Sequence, residues 1–197
     1  SLSKDSTKNT DEALLEIYEK LKPGEPATLD SAKNQLITRF FDSFRYDLAK
    51  VGRYKFNKKL NVSDRLLNQK IAQDVEVDGN IIIKNGTVLT KEELEKLKPL
   101  LAEGYGMVDA TDNKELDDHT MVQVINIYSP IDSEKVIKVI GNDQSINVRT
   151  LTISDIYASV SYYLNLLQNV GHIDEIDHLS NRRLRQVGEL LQNQFRV

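Results

Sequence analysis

The chain has 197 residues, a formal net charge of -4 at neutral pH, 40% hydrophobic and 28% charged residues. That is the composition of an ordinary soluble protein with room for one large domain or two small ones. The absence of cysteine excludes a disulfide framework, a thiolate metal site and a Cys nucleophile. The acidic balance argues against a uniformly basic nucleic-acid domain, no apolar run is long enough to cross a bilayer, and no signal-peptide pattern opens the chain.

After a polar start, Thr10-Asp11-Glu12 caps a helix with Leu14, Leu15, Ile17, Tyr18 and Leu21 on one face, and Pro23-Gly24 stops it. Thr28 opens a second helix through Leu29, Ala32, Leu36, Ile37 and Phe40. The stretch from Arg39 to Leu60 is basic and aromatic together: Arg45, Lys50, Arg53, Lys55, Lys58 and Lys59 alternate with Tyr46, Tyr54 and Phe56, and Asp47 is placed to cap a short helix. Beyond Leu60 the character changes. Asp78-Gly79 and Asn85-Gly86 flank β-branched runs and predict short strands joined by tight turns. Thr90-Lys-Glu-Glu93 has the capping-box spacing ahead of Leu94, Leu97 and Leu101. Strand-like sequence resumes at Val108, alternates from His119 to Tyr128, and returns from Ser133 to Ile140 after the Pro130-Ile-Asp turn.

Helical periodicity reappears at Thr152, with Ile156, Val160, Tyr163, Leu164 and Leu167, and leaves at Val170-Gly171. An acidic turn with two histidines then leads into a basic segment, read as a helix from Asn181 that presents Arg182 and Arg185 on one side. Arg183 points elsewhere, toward Asp174 or Glu175. Nothing stops that last helix, so the chain reads as cut from something larger. The expected fold is α+β: a helical base formed by the flanks 1–60 and 149–197, with a mostly β module at 61–148 inserted between them.

Catalytic signatures are scarce. There is no phosphate loop with its lysine and no Gly-x-Ser-x-Gly elbow. His172, Asp174, Asp177 and His178 form the one cluster with metal-ligand chemistry, but an acidic turn before an arginine-rich segment needs no metal. His119 is isolated and reads as a surface turn residue. Met107, Met121 and the tyrosines 157, 162 and 163 follow core spacing. Nucleic-acid binding fits two places better. One is the Arg45–Lys59 stretch, with cations for phosphates and rings for stacking. The other is the Asp177/Arg182 turn, where a carboxylate could accept hydrogen bonds from an unpaired guanine while arginines hold the backbone. For both, a salt-bridged solvated surface is the plain alternative.

Three segments in order carry a family resemblance. They are Ile17-Tyr18 with Lys22-Pro-Gly-Glu-Pro26; Phe40-Phe41 with Arg45-Tyr-Asp-Leu-Ala-Lys-Val-Gly-Arg-Tyr-Lys-Phe-Asn57; and Asp174-Glu-Ile-Asp-His-Leu-Ser-Asn-Arg-Arg-Leu-Arg-Gln-Val-Gly-Glu189. Together they resemble the bacterial RNA polymerase β subunit. The middle resembles a Firmicute-type insert, and Gly79–Thr90 looks like a barrel-sandwich unit. The resemblance implies a lobe fragment without catalytic residues, on a chain that continues towards the protrusion. It implies no cofactor here, with Mg2+ held in the parent enzyme by aspartates of β′. The implied partners are non-template DNA in the promoter bubble, the β′ and α subunits and sigma factor, in the cytoplasm on the nucleoid, with no membrane. Positions matching Ile176, Asp177 and Arg182 form a pocket for an unstacked guanine in that family. Lys22 and Arg45 match basic positions facing the bubble, Lys22 replacing a common arginine, and Arg185 lies near the same strand. Ser180 stands where the family usually has Gly, and Gln186 where it has Ser.

Overall fold

The computed structural model describes residues 2–110, 120–182 and 184–196. After a 3-10 turn at Leu2–Lys4, the chain forms α1 (Thr10–Leu21), α2 (Leu29–Phe40), α3 (Ala49–Leu60) and a short α4 (Ser63–Leu66). Next come β1 (Val75–Val77), β2 (Asn80–Ile83), α5 (Lys91–Ala102), β3 (Met107–Asp109), β4 (Met121–Tyr128) and β5 (Val136–Asn142). Helix α6 (Ile153–Leu166), a 3-10 turn (Leu179–Asn181) and α7 (Val187–Arg196) complete it. The expected α+β class holds. The β segments do not close into a barrel among the described residues: they form an antiparallel β1–β2 hairpin and a separate antiparallel sheet in the order β3-β4-β5.

Local chemistry accounts for most element ends. Asn9, one residue before the expected cap, accepts the Glu12 amide at the start of α1, and Thr28 accepts the Ser31 amide at α2. The reciprocal capping box is at Thr152 and Asp155 on α6. Thr90 accepts the Glu93 amide, but the Glu93 carboxylate pairs with Lys96, so the box expected on α5 is only half made. The hairpin turn has Asp78 and Gly79 both at positive φ, as a two-residue turn matched to strand twist requires. The Asn85-Gly86 turn does not extend that hairpin. Val88 bridges back to Lys70, and Gly86 donates to the Ile71 carbonyl. His119 lies outside the described residues.

The main core joins α4, β1, β2, α5 and the inner faces of β4 and β5, with Val62, Leu66, Ile71, Leu97, Ile125, Ile127 and Val139 buried. A smaller cluster of Leu14, Tyr18 and Ala32 seals α1 against α2. The sheet sits on the helical base where β5 meets α6 and α3. Gly141 makes that approach possible, because a Cβ there would lie 2.6 Å from the Val62 side chain.

Two arginines lock the base. Arg53, only 3% exposed, donates to both carboxylate oxygens of Asp155 at 2.9 and 2.8 Å, to the Val148 carbonyl at 2.8 Å, and to the Thr150 carbonyl. Asp155 also accepts from Asn142 and from the Thr152 amide and hydroxyl. One carboxylate therefore ties α3, β5 and the start of α6 together. Arg65, 1% exposed, forms no ion pair among the described residues. It donates to Asn165 Oδ1 and to the carbonyls of Leu60 and Ile140, and stacks 4.9 Å from the Tyr162 ring centre. Burial pushes its pKa down to about 10, which leaves it charged at neutral pH.

Candidate nucleic-acid interface

The segment after α6 is irregular, so side chains must position it. Gly171 (φ +95°) turns the chain beneath Tyr162, where a Cβ would stand 3.2 Å from the ring. The Tyr162 hydroxyl donates to the His172 carbonyl at 2.8 Å and accepts the His172 amide at 3.2 Å. From α3, Lys59 donates to the same carbonyl, pairs with Asp174 at 2.9 Å and lies over the Tyr162 ring. Partial burial works against the Lys59 charge, but Asp174 and Tyr162 outweigh it and raise its pKa; the Lys59 hydrogen bond in turn lowers that of Asp174. One helical turn earlier, Lys55 donates to the Ser180 carbonyl and to Asn181 Oδ1 at 2.8 and 2.6 Å. Asn181 closes the loop onto the Glu175 carbonyl.

This frame presents Ile176, Asp177 and Arg182 on one turn. Ile176 is 84% exposed, an apolar side chain left in solvent among the described residues. The Asp177 side chain is 87% exposed and stands 3.7 Å from Arg182 Nη1, close enough to attract but longer than a hydrogen bond. His178 does not join them. Its Nδ1 accepts the Ser180 amide at 3.2 Å and meets the Ser180 hydroxyl at 2.7 Å, capping the 3-10 turn.

The expected helix from Asn181 does not form. Arg182 is extended (φ -112°, ψ 136°), and α7 begins only at Val187. The hydrogen bonds that Lys55 and Asn181 donate and His178 accepts favour a tight turn there. Leu184 and Val187, left exposed, supply no packing that would extend α7 backwards. Arg182 and Arg185 therefore do not share a helical face; Arg185 lies 4.0 Å from Glu189. Arg183 and its expected pairing lie outside the described residues.

The other cations divide. Arg45 is exposed in the turn after α2. Lys22 ends α1, pairs with Glu25 at 3.0 Å and lies near the Tyr18 ring; the hydrogen bond it donates to Glu25 raises its pKa. Arg53 corrects the expectation of an exposed cation, because its guanidinium is buried and committed to Asp155. The four residues with metal-ligand chemistry do not converge. His172 and Asp174 approach to 3.5 Å, but no group of three such ligands gathers among the described residues. The sequence pattern by itself gives Lys55, Lys59 and Tyr162 no positioning role. The i,i+4 spacing of the two lysines was the available signal.

Comparison with known proteins adds an independent finding. The family described as RNA polymerase Rpb2, domain 2, matches residues 2–76 and 110–185. The chain is 52% identical over its whole length to the DNA-directed RNA polymerase subunit beta of Listeria monocytogenes, and 50% identical to those of Geobacillus thermodenitrificans and Staphylococcus carnosus. It spans 17% of the length of each of these relatives.

Proposed function

The chain belongs to the RNA polymerase Rpb2 domain 2 family, the lobe region of the bacterial β subunit, and we propose that it serves as a non-catalytic wall of the DNA cleft that contacts the non-template strand of the promoter bubble. One observation carries this reading. Ile176, Asp177 and Arg182 stand exposed on a turn that Lys55 and Lys59 hold against α3. The Asp177 carboxylate can accept from the N–H groups on the edge of an unpaired guanine, a base with two adjacent donors there. Arg182 neutralises the neighbouring phosphate, and Ile176 covers the base face. Arg185, Arg45 and Lys22 supply further positive charge along the strand. Arg53 has no direct part, because its charge is spent inside.

In this reading the chain divides at 1–60, 61–148 and 149–197. The lineage-variable module of this reading is 61–148, and the family match does not run over residues 77–109 of it. The whole enzyme would copy DNA into RNA with Mg2+ on the β′ subunit, with α and sigma factor as further partners, in the cytoplasm on the nucleoid.

The test uses assembled polymerase. Asp177→Ala should reduce the preference for guanine at the pocket position by about 5- to 150-fold, the range for losing one paired hydrogen-bond contact to a base. Equal losses for all four bases refute base reading. Arg182→Ala should weaken strand contacts for every base and lower the salt dependence.

A second reading is supported by a groove of about 740 Å³ between β5 and α6, lined by Val136, Ile137, Ile156, Val160 and Leu164. An apolar groove of that kind suits protein docking. Crosslinks from Ile156 or Val160 to protein in an initiation complex, with none from Asp177 to DNA, would favour it.

A further inference from the structure

Helix α3 has a second exposed face. Lys50, Tyr54 and Lys58 recur every fourth residue, so they lie above one another along one side, with the lysines about 12 Å apart along the axis. All three are exposed, Tyr54 at 67%. They edge a cavity of about 580 Å³ that Gln144, Asn147 and Asp64 also line. Neither lysine forms an ion pair among the described residues, whereas on the next face Lys59 pairs with Asp174 and Lys55 is hydrogen-bonded to Ser180 and Asn181. Tyr54 and Lys58 also edge a second cavity, of about 420 Å³, which reaches Asp174, Ser180 and Asn181. The two cavities thus meet on one ridge, and that ridge leads to the turn carrying Asp177 and Arg182.

We propose that Lys50, Tyr54 and Lys58 form a binding track for an unpaired nucleic-acid strand, with Tyr54 stacking on a base and the lysines on flanking phosphates. The chemistry is that of a single-strand platform: a π surface between two cations, with amide side chains lining the same cavity that hydrogen-bond without choosing a base. A duplex keeps its bases stacked on one another and cannot offer a face to Tyr54. The track rests on the reading of this chain as a DNA-cleft wall and extends it away from the guanine-reading turn. It commits to DNA because that reading supplies DNA.

The experiment titrates fluorescent oligothymidylate with the 197-residue chain and its variants over a range of salt. Tyr54→Ala should weaken binding about tenfold and Tyr54→Phe should restore it, because stacking needs the ring alone. Lys50→Ala with Lys58→Ala should flatten the slope of log K against log salt by about 1.4, roughly 0.7 for each phosphate contact on a single strand. The track is overturned if either change leaves binding and slope unaltered, if duplex of the same length competes equally, or if oligouridylate binds more tightly than the DNA. Asp177→Ala provides the separation. In that background Tyr54→Ala should still weaken oligothymidylate binding about tenfold, and a lost guanine preference with the Tyr54 effect intact identifies the turn and the track as independent sites.

Discussion

Asp155→Asn is the sharpest test of how this domain is held together. The substitution keeps the size of the side chain and removes its charge. Asp155 is fully enclosed and accepts from Arg53, Asn142 and Thr152 at 2.8–3.0 Å. With the carboxylate gone, the Arg53 guanidinium stays buried with only carbonyls and Asn57 as partners. An uncompensated buried charge of this kind costs about 3–5 kcal/mol. At roughly 2–4 °C per kcal/mol for a chain of this size, melting should fall by about 6–20 °C. The assay is urea unfolding of the 197-residue chain followed by far-UV circular dichroism, with melting as a second readout. Arg53→Met should be similarly damaging, and the double variant should recover part of the loss, since it leaves no lone charge. A loss below about 1 kcal/mol for Asp155→Asn would refute the reasoning, for it would mean that water screens the pair as it screens exposed ones. A changed salt dependence of DNA binding in a fully folded Arg53→Met variant would return Arg53 to the interface.

Gly141→Ala should destabilise by about 1–3 kcal/mol in the same unfolding assay, because the added methyl would meet Val62 at 2.6 Å and the Leu60 carbonyl at 3.1 Å where the sheet abuts the base. The Lys59–Asp174 tether should weaken in acid. Its carboxylate pKa is lowered below 3.8, so the stabilisation is complete above 3.8 and is lost as pH falls through the lowered value. Protection of the amides around His172 against exchange should fall in that window, and an Asp174→Asn variant should lack the acid transition. Lys59 has the opposite sign: its pKa is raised above 10.5, so its share of the tether is complete below that pH and lost as pH climbs through the raised value. Lys55→Ala should lower the guanine preference attributed to Asp177 severalfold without changing binding to oligothymidine tracts, because it frees the Ser180 carbonyl and Asn181. An unchanged preference would show that the turn holds its shape alone.

Signals confined to a few neighbouring residues were legible from the chain itself. Thr28 and Thr152 precede helices because a threonine oxygen can take an amide three residues on. Asp78-Gly79 makes a hairpin because both residues tolerate positive φ. The ordered motifs from Lys22 to Arg182 likewise indicated the polymerase β family. What the sequence could not separate was residues of one type in one stretch. Arg45 and Arg53 look alike eight positions apart, yet one is exposed and the other is buried against a carboxylate 102 residues later. Arg65 carried no signal at all, because its partners are carbonyls and an amide brought in by β5 and α6. The start of α7 failed for the same reason: periodicity favoured a helix from Asn181, while hydrogen bonds from Lys55, distant in sequence, hold that stretch as a turn. The sequence by itself determined the α+β class, the helix starts at Thr28, Thr90 and Thr152, and the family. Only the tertiary structure decided which cations reach solvent, because burial and pairing depend on distant segments meeting.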